Sequence, residues 1–309
     1  MVGRRGLTGQ SFYAWTIPSA SANGIRIEYL TAGDPDRPAL LLVAGLGVQL
    51  TAWPEAFCAE LVARGFFVVR YDNRDAGLST IIEGGSPPDP MAVYLGDPSS
   101  VAYTLEDMAD DAVGLLDALD ISAAYLVGSS LGAMIAQALA AGRPDRTLGL
   151  CSVSSTTGEP SVGQPTAEAF ELLARPAPNT REEFVDADIA SHRVLGSPLY
   201  PSDEAEMRAE TGRAYDRAFN PEGTARQLCA IIASGDRTAG LAAITAPTVV
   251  IHGTEDKLIQ PSGGEATAKA IPNAELVMIE GMGHDFPPGV WPRVVDAISA
   301  LSGDAASDR

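Results

Sequence analysis

Six short, strongly apolar runs limit what this chain can fold into: "ALLLVAG" (39–45), "GFFVVRYD" (65–72), "AAYLVG" (123–128), "LGLCSVSS" (148–155), "PTVVIHG" (247–253) and "AELVMIEG" (274–281). Continuous apolar runs of this length suit strands covered on both faces, as in a parallel sheet. Helix-like segments alternate with them. In "TLEDMADDAVGLLDALD", Met108, Ala112, Leu115 and Leu119 recur at spacings of four and three and make one apolar face. Thr104 with Asp107 resembles a capping box at its start. "LGAMIAQALAAG" ends at Gly142, followed by Pro144, a stop signal. The alternation predicts an α/β fold with a mainly parallel central sheet flanked by helices. "FYAWTIP" and "GIRIEYLTAG" read as a leading antiparallel pair.

Between about Thr156 and Gly235 the strand signal disappears. "TAEAFELLARP", "TREEFVDADIASHRVLG", "SDEAEMRAETGRAYDRAFN" and "GTARQLCAIIASG" all read as helices, and Thr180 with Glu183 matches a capping box. Strand-like sequence resumes at Pro247. The expected organisation is a core formed by residues 1–155 and 236–309, with a helical cap, residues 156–235, inserted before the late strands. Such a block would lie over the carboxyl edge of the sheet, where open α/β sheets place their ligands. Phe170, Phe184, Tyr200, Met207, Tyr215 and Phe219 are the large apolar residues that the cap could offer to a pocket, or pack among themselves.

The run "AAYLVG" leads into Ser129, Ser130 and then a helix. The reading ends the strand at Val127 and begins the helix near Leu131, so the reversal is tight and strains one residue. Glycines two before and two after that residue relieve the crowding. Centred on Ser130, those positions are Gly128 and Gly132; centred on Ser129, they are Val127 and Leu131. The spacing selects Ser130 as a nucleophile in G-x-S-x-G. At the N-terminus of the next helix, free backbone N–H groups and the helix dipole favour negative charge, and the Leu131 N–H becomes an oxyanion donor.

A serine hydroxyl needs a base. Of the three histidines, His192 falls in the cap as a surface residue and His252 ends a strand as a packed one. His284 sits in "EGMGHDFPPG", a glycine-flanked loop after a late strand, and is the candidate base. The carboxylate that orients it belongs to "VVIHGTEDKLIQP", where Asp256 is preferred and Glu255 is the alternative. The second oxyanion donor is expected from "GLGVQL", at the Leu46 N–H between Gly45 and Gly47. A dinucleotide-binding turn fits that stretch poorly, because Leu50 occupies the third glycine position.

With "GSSLG", "GTED" and "GMGH" in the order Ser130, Asp256, His284, the chain resembles the α/β-hydrolase superfamily from about residue 20 to about residue 302. "RYDNRDAGLST" (70–80) adds to the resemblance as a turn after an early strand, with Asp75 where glycine is usual and with Asp72 and Arg74 as its braces. "RYDNRDAG", "GSSLGAMIAQ" and "IEGMGHDFP" together are most similar to the bacterial branch of anthracycline methylesterases, such as aclacinomycin methylesterase. The resemblance implies hydrolysis of carboxylic esters, with Ser130 as nucleophile, His284 as base, Asp256 as orienter and oxyanion donors at Leu46 and Leu131. Leu46 stands where that branch carries glycine, which keeps a backbone donor and narrows the pocket beside it. The same triad would serve an acyltransferase or perhydrolase, and a non-catalytic ligand-binding protein is the remaining alternative.

This chemistry calls for no metal and no organic cofactor. A formal charge of −19 over 309 residues argues against nucleic acid and anionic membrane as partners, leaving a small-molecule ester. No apolar run reaches the roughly 18–20 residues that span a bilayer, and no signal peptide is read after Arg4 and Arg5. Cys58, Cys151 and Cys229 lack metal-ligand spacing and are expected as buried thiols in a reducing, cytoplasmic compartment. Oligomeric state is not legible in the sequence.

Overall fold

A computed structural model describes residues 18–303. Its centre is an eight-stranded sheet: β1 (Ser19–Ala22), β2 (Ile25–Ala32), β3 (Ala39–Val43), β4 (Phe67–Tyr71), β5 (Ala124–Ser129), β6 (Thr147–Val153), β7 (Thr248–Gly253) and β8 (Glu275–Ile279). The order is β1-β2-β4-β3-β5-β6-β7-β8. β1 and β2 pair antiparallel, as do β2 and β4, and the remaining pairs are parallel. All six apolar runs are strands. The leading antiparallel pair also exists, but its first strand is Ser19–Ala22. Residues 12–17 of "FYAWTIP" lie outside the described residues, and Pro18 precedes the strand. A two-residue hairpin at Asn23 and Gly24, both with positive φ (47° and 78°), sets the register that places Ala22 opposite Ile25.

Side chains alternate across the sheet, and each face has its own core. Leu41 and Val43 of β3 join Leu126 of β5 on one face. There they meet α3 (Leu105–Ala118) through Met108, Ala112 and Leu115, and α4 (Leu131–Gly142) through Ile135 and Leu139. Leu40, Leu42 and Val127 point the other way, onto Phe57 and Leu61 of α1 (Glu55–Ala63) and Val294 and Ile298 of α11 (Trp291–Leu301). Leu40, Leu41 and Leu42 are all fully buried, and each contributes about 1.5–3 kcal/mol of apolar burial. The expected capping box of α3 is present: Thr104 Oγ1 accepts the Asp107 N–H, and the Asp107 carboxylate accepts the Thr104 N–H at 2.8 Å.

A short helix, α2 (Pro90–Tyr94), precedes α3. Between β6 and β7 the chain makes no strand among the described residues. It forms α5 (Ala167–Leu173), α6 (Arg181–Leu195), α7 (Glu204–Arg217), α8 (Pro221–Ser234) and α9 (Thr238–Leu241), and α10 (Ser262–Ala270) follows β7. The four helices expected within 156–235 are α5 to α8. The capping box expected at α6 is only half formed. Thr180 accepts the Glu183 N–H at 3.2 Å, but the Glu183 carboxylate reaches one residue further back, to the Asn179 N–H at 2.7 Å.

The turn after β4 is braced as expected, and more heavily. Arg74 lies against Asp111 of α3 with two bonds of 2.6 and 2.7 Å. Asp72 accepts the Leu50 N–H at 2.7 Å and the Leu78 N–H at 2.9 Å. Asp75 takes a left-handed φ of 65° and accepts from both sides of the Arg226 guanidinium at 2.9 Å. It also accepts the Tyr103 hydroxyl at 2.7 Å. Asp75 thereby ties this turn to α8.

Candidate active site

The chain passes from β4 across β3 to β5, so the direction of strand order reverses between β3 and β5. The carboxyl ends of strands at such a switch point are where open α/β sheets bind ligands. Ser130 follows β5 there, and Gly45 to Val48 follow β3. The reversal is sharper than the sequence reading allows: β5 runs through Ser129, and Ser130 alone separates it from α4. That residue has φ 54° and ψ −120°. Its N–H donates to Val153 O of β6 at 2.9 Å, and Ser155 Oγ donates to its carbonyl at 3.0 Å. The need for glycine on both sides is physical. A Cβ on Gly128 would lie 2.2 Å from the Gly132 carbonyl oxygen, and one on Gly132 would lie 2.0 Å from the Val43 carbonyl oxygen.

Ser130 Oγ lies 3.1 Å from His284 Nε2, and His284 Nδ1 lies 2.8 Å from Asp256 Oδ2. A carboxylate on Nδ1 requires that nitrogen to carry the proton, which leaves Nε2 to accept from the serine hydroxyl. Asp256 Oδ1 accepts the N–H groups of Leu258 and Ile259 at 3.0 and 2.9 Å. Burial works to raise the Asp256 carboxyl, but charge on His284 and hydrogen bonds from His252 and His284 outweigh it and hold the group well below the usual carboxylate range. Asp256, and not the exposed Glu255, therefore meets the imidazole.

The loop that carries His284 is held from α6. Its N–H donates to Leu195 O at 2.7 Å, and the Gly283 N–H donates to Ser197 Oγ at 2.9 Å. Ser197 in turn donates to the Asp285 carboxylate. His192 is half-buried rather than at the surface, and its Nδ1 faces Asp285 at 3.7 Å. His252 is the packed histidine that the sequence predicts, with Nε2 donating to Ile259 O at 2.7 Å. The same nitrogen lies 3.4 Å from Asp256 Oδ2, a proximity that its place at a strand end did not signal.

A cavity of about 300 Å³ opens over Ser130 and His284. Gly45, Leu46, Val48, Trp53, Leu173, Leu258 and Phe286 are among its lining residues. The loop after β3 lies against the serine, since a Cβ on Gly45 would sit 3.6 Å from Ser130 Cβ. Leu131 is the first residue of α4, so its N–H has no intrahelical partner. Both backbone groups named as oxyanion donors thus belong to segments that border Ser130. None of the six large apolar residues singled out in 156–235 lines this cavity. Phe184, Tyr215 and Phe219 pack on one another with ring centroids 4.8–5.5 Å apart, Tyr215 and Phe219 stacked and Phe184 edge-on to Phe219. Phe184 and Phe219 border a neighbouring cavity of about 490 Å³. Sequence reasoning missed Trp53 and Phe286, which pack edge to face at 5.3 Å on the β3 and β8 sides of the cavity.

Comparison with known proteins agrees with this architecture. The model of the α/β-hydrolase fold family matches residues 38–287. Rhodomycin D methylesterase DnrP of Streptomyces peucetius is 31% identical over 288 residues, 87% of this chain and 92% of that protein. The putative carbamate hydrolase RutD of Caulobacter sp. (strain K31) is 30% identical, over 94% of this chain and all of its own length (100%). Among solved structures, the enol-lactonase from Burkholderia xenovorans LB400 superposes with a TM-score of 0.69 at 26% identity, covering 93% of this chain and 98% of that one. A hydrolase-like sheet, with Ser130, His284 and Asp256 in register at its carboxyl edge and a family match over most of the length, leads to one conclusion: this chain belongs to the α/β-hydrolase fold family.

Proposed function

We propose that the chain is a serine hydrolase that cleaves carboxylic esters through an acyl-enzyme. The observation that carries this reading is the unbroken relay from Ser130 Oγ to His284 Nε2 at 3.1 Å and from Nδ1 to Asp256 at 2.8 Å, set under a cavity large enough for an acyl group. Ser130 attacks the ester carbonyl as His284 takes its proton. The carbonyl oxygen becomes an oxyanion held by the N–H groups of Leu46 and Leu131. Collapse of the tetrahedral species expels the alcohol, which receives the proton from His284. Water then attacks the acyl-enzyme with the same imidazole as base, and Ser130 leaves with its proton restored. Asp256 stabilises the imidazolium in both halves. The segment 156–235 acts as a cap in this reading, with Leu173 its residue at the cavity.

The methylesterase, carbamate hydrolase and enol-lactonase named above support acyl-group chemistry. The mainly aliphatic and aromatic lining around Ser130 supports an apolar acyl or alcohol group as the part bound there. Short-chain chromogenic esters test the proposal. Hydrolysis is expected with the wild type, along with covalent labelling of Ser130 by a fluorophosphonate. Ser130→Ala should lower kcat by at least about 10³-fold and abolish labelling. Full activity in that variant would refute the assignment.

A further inference from the structure

Gln227 has no role in the chemistry above, yet it is fully buried where α8 meets the turn after β3. A buried primary amide is costly unless both of its ends are paired. Here both are. Its Oε1 accepts the Gly47 N–H at 2.8 Å, and its Nε2 donates to the Arg74 carbonyl at 2.7 Å. The two partners leave the amide one orientation, because a backbone N–H only donates and a carbonyl only accepts.

Gly47 is the third residue of a tight turn. It has φ +66°, and the Val48 N–H donates to Gly45 O at 3.3 Å across the turn. Leu46 lies between two peptide units. The one before it, which carries the Leu46 N–H, is held through the Gly45 carbonyl. The one after it is held through the Gly47 N–H, by Gln227. α8 also packs directly on this turn, since a Cβ on Gly47 would lie 2.6 Å from Thr224 Oγ1. The neighbouring residue Arg226 anchors α8 independently on Asp75.

We propose that Gln227 is a positioning residue for the oxyanion donor at Leu46, an assignment that rests on the ester-hydrolase reading. It touches no substrate. It fixes the plane of the Leu46–Gly47 peptide, and so holds the turn closed by the Val48 N–H and the Gly45 carbonyl, whose Gly45–Leu46 peptide carries the Leu46 N–H. The helix that supplies it comes from the inserted segment, so that segment completes the oxyanion site besides covering the cavity.

The test compares wild type, Gln227→Met and Gln227→Asn with p-nitrophenyl butyrate as substrate and an alkyl trifluoromethyl ketone as a mimic of the tetrahedral intermediate. Gln227→Met should lower kcat about ten- to hundredfold, part of what loss of a whole oxyanion donor costs. KM should move less than about threefold. Affinity for the ketone should fall in parallel with kcat, and the acid limb of the pH–rate profile should stay in place. Gln227→Asn keeps the polarity but cannot span both partners, and the same paired loss is expected of it. It decides the question if Gln227→Met does not fold. Wild-type kcat in a folded variant, a change confined to KM, or a loss of kcat without a matching loss of ketone affinity would overturn the assignment. A wild type inert to every ester and to fluorophosphonate would instead sink the ester reading, and this inference with it.

Discussion

Asp256 keeps both carboxylate oxygens occupied, one by two backbone N–H groups and the other by His284. Its folded-state pKa is depressed, so the sign of its linkage is fixed. The stabilisation is present above the ordinary carboxylate value of about 3.9 and is lost as pH falls from there toward the depressed folded value. Wild type should therefore lose unfolding free energy in acid below about pH 4–5 more steeply than Asp256→Asn does. Urea midpoints taken across that range measure the difference. At neutral pH the same variant should lose about 10⁴-fold in kcat, because an amide at this place favours the wrong imidazole tautomer. The three thiols are a contrasting case. All are free and buried, and burial pushes Cys151 up to about 12, so none has the properties of a nucleophile.

At the scale of elements, the elbow is a packing problem solved by two missing side chains. Gly132→Ala would drive a methyl group into the backbone of β3, and it should cost at least about 1–3 kcal/mol and shift Ser130 enough to remove most ester turnover. Thermal unfolding and turnover of the same preparation check both. The turn after β4 gives a second case. Asp75→Asn keeps the shape and tolerates the left-handed backbone, but leaves the buried Arg226 guanidinium with only the exposed Glu222 carboxylate, at 3.6 Å, as a counter-charge. A loss of about 3–5 kcal/mol in urea unfolding is expected.

These two elements also mark what could be read from sequence. The elbow, the histidine loop and the Asp256 turn were legible because each is local: glycine spacing, a strand end and a loop are all written within a few residues. The Asp75–Arg226 and Gly47–Gln227 contacts join residues 151 and 180 positions apart, and no period or motif records them. Ser19–Ala22 is not read as a strand because "SASA" carries no apolar signal, although Asn23-Gly24 beside it is a hairpin dipeptide. Of the large residues of 156–235 that could line a pocket or pack among themselves, Phe184, Tyr215 and Phe219 do the latter, while Trp53 and Phe286 line the cavity over Ser130.

For the whole molecule, the formal charge of −19 dominates the electrostatics. Pairs such as Arg143–Asp110 and Arg193–Glu204 are solvent-exposed, and screening them costs little. Screening the general self-repulsion gains more, so the melting temperature should rise by a few degrees between about 20 and about 300 mM sodium chloride. A fall over that interval, read by calorimetry, would mean that specific pairs outweigh the net charge. Among the described residues, no helix is long and apolar enough to cross a membrane.

The attachment of α6 to the His284 loop, through the bond from the His284 N–H to Leu195 O, has an evolutionary consequence. A segment joined by backbone contacts to the machinery beneath it is not an interchangeable accessory. Grafting the corresponding helices of a relative onto this sheet should transfer substrate preference only at the expense of turnover, until the junction residues are exchanged with them. Divergence of substrate range in such a lineage would then proceed by paired changes on both sides of the seam rather than by wholesale replacement of residues 156–235.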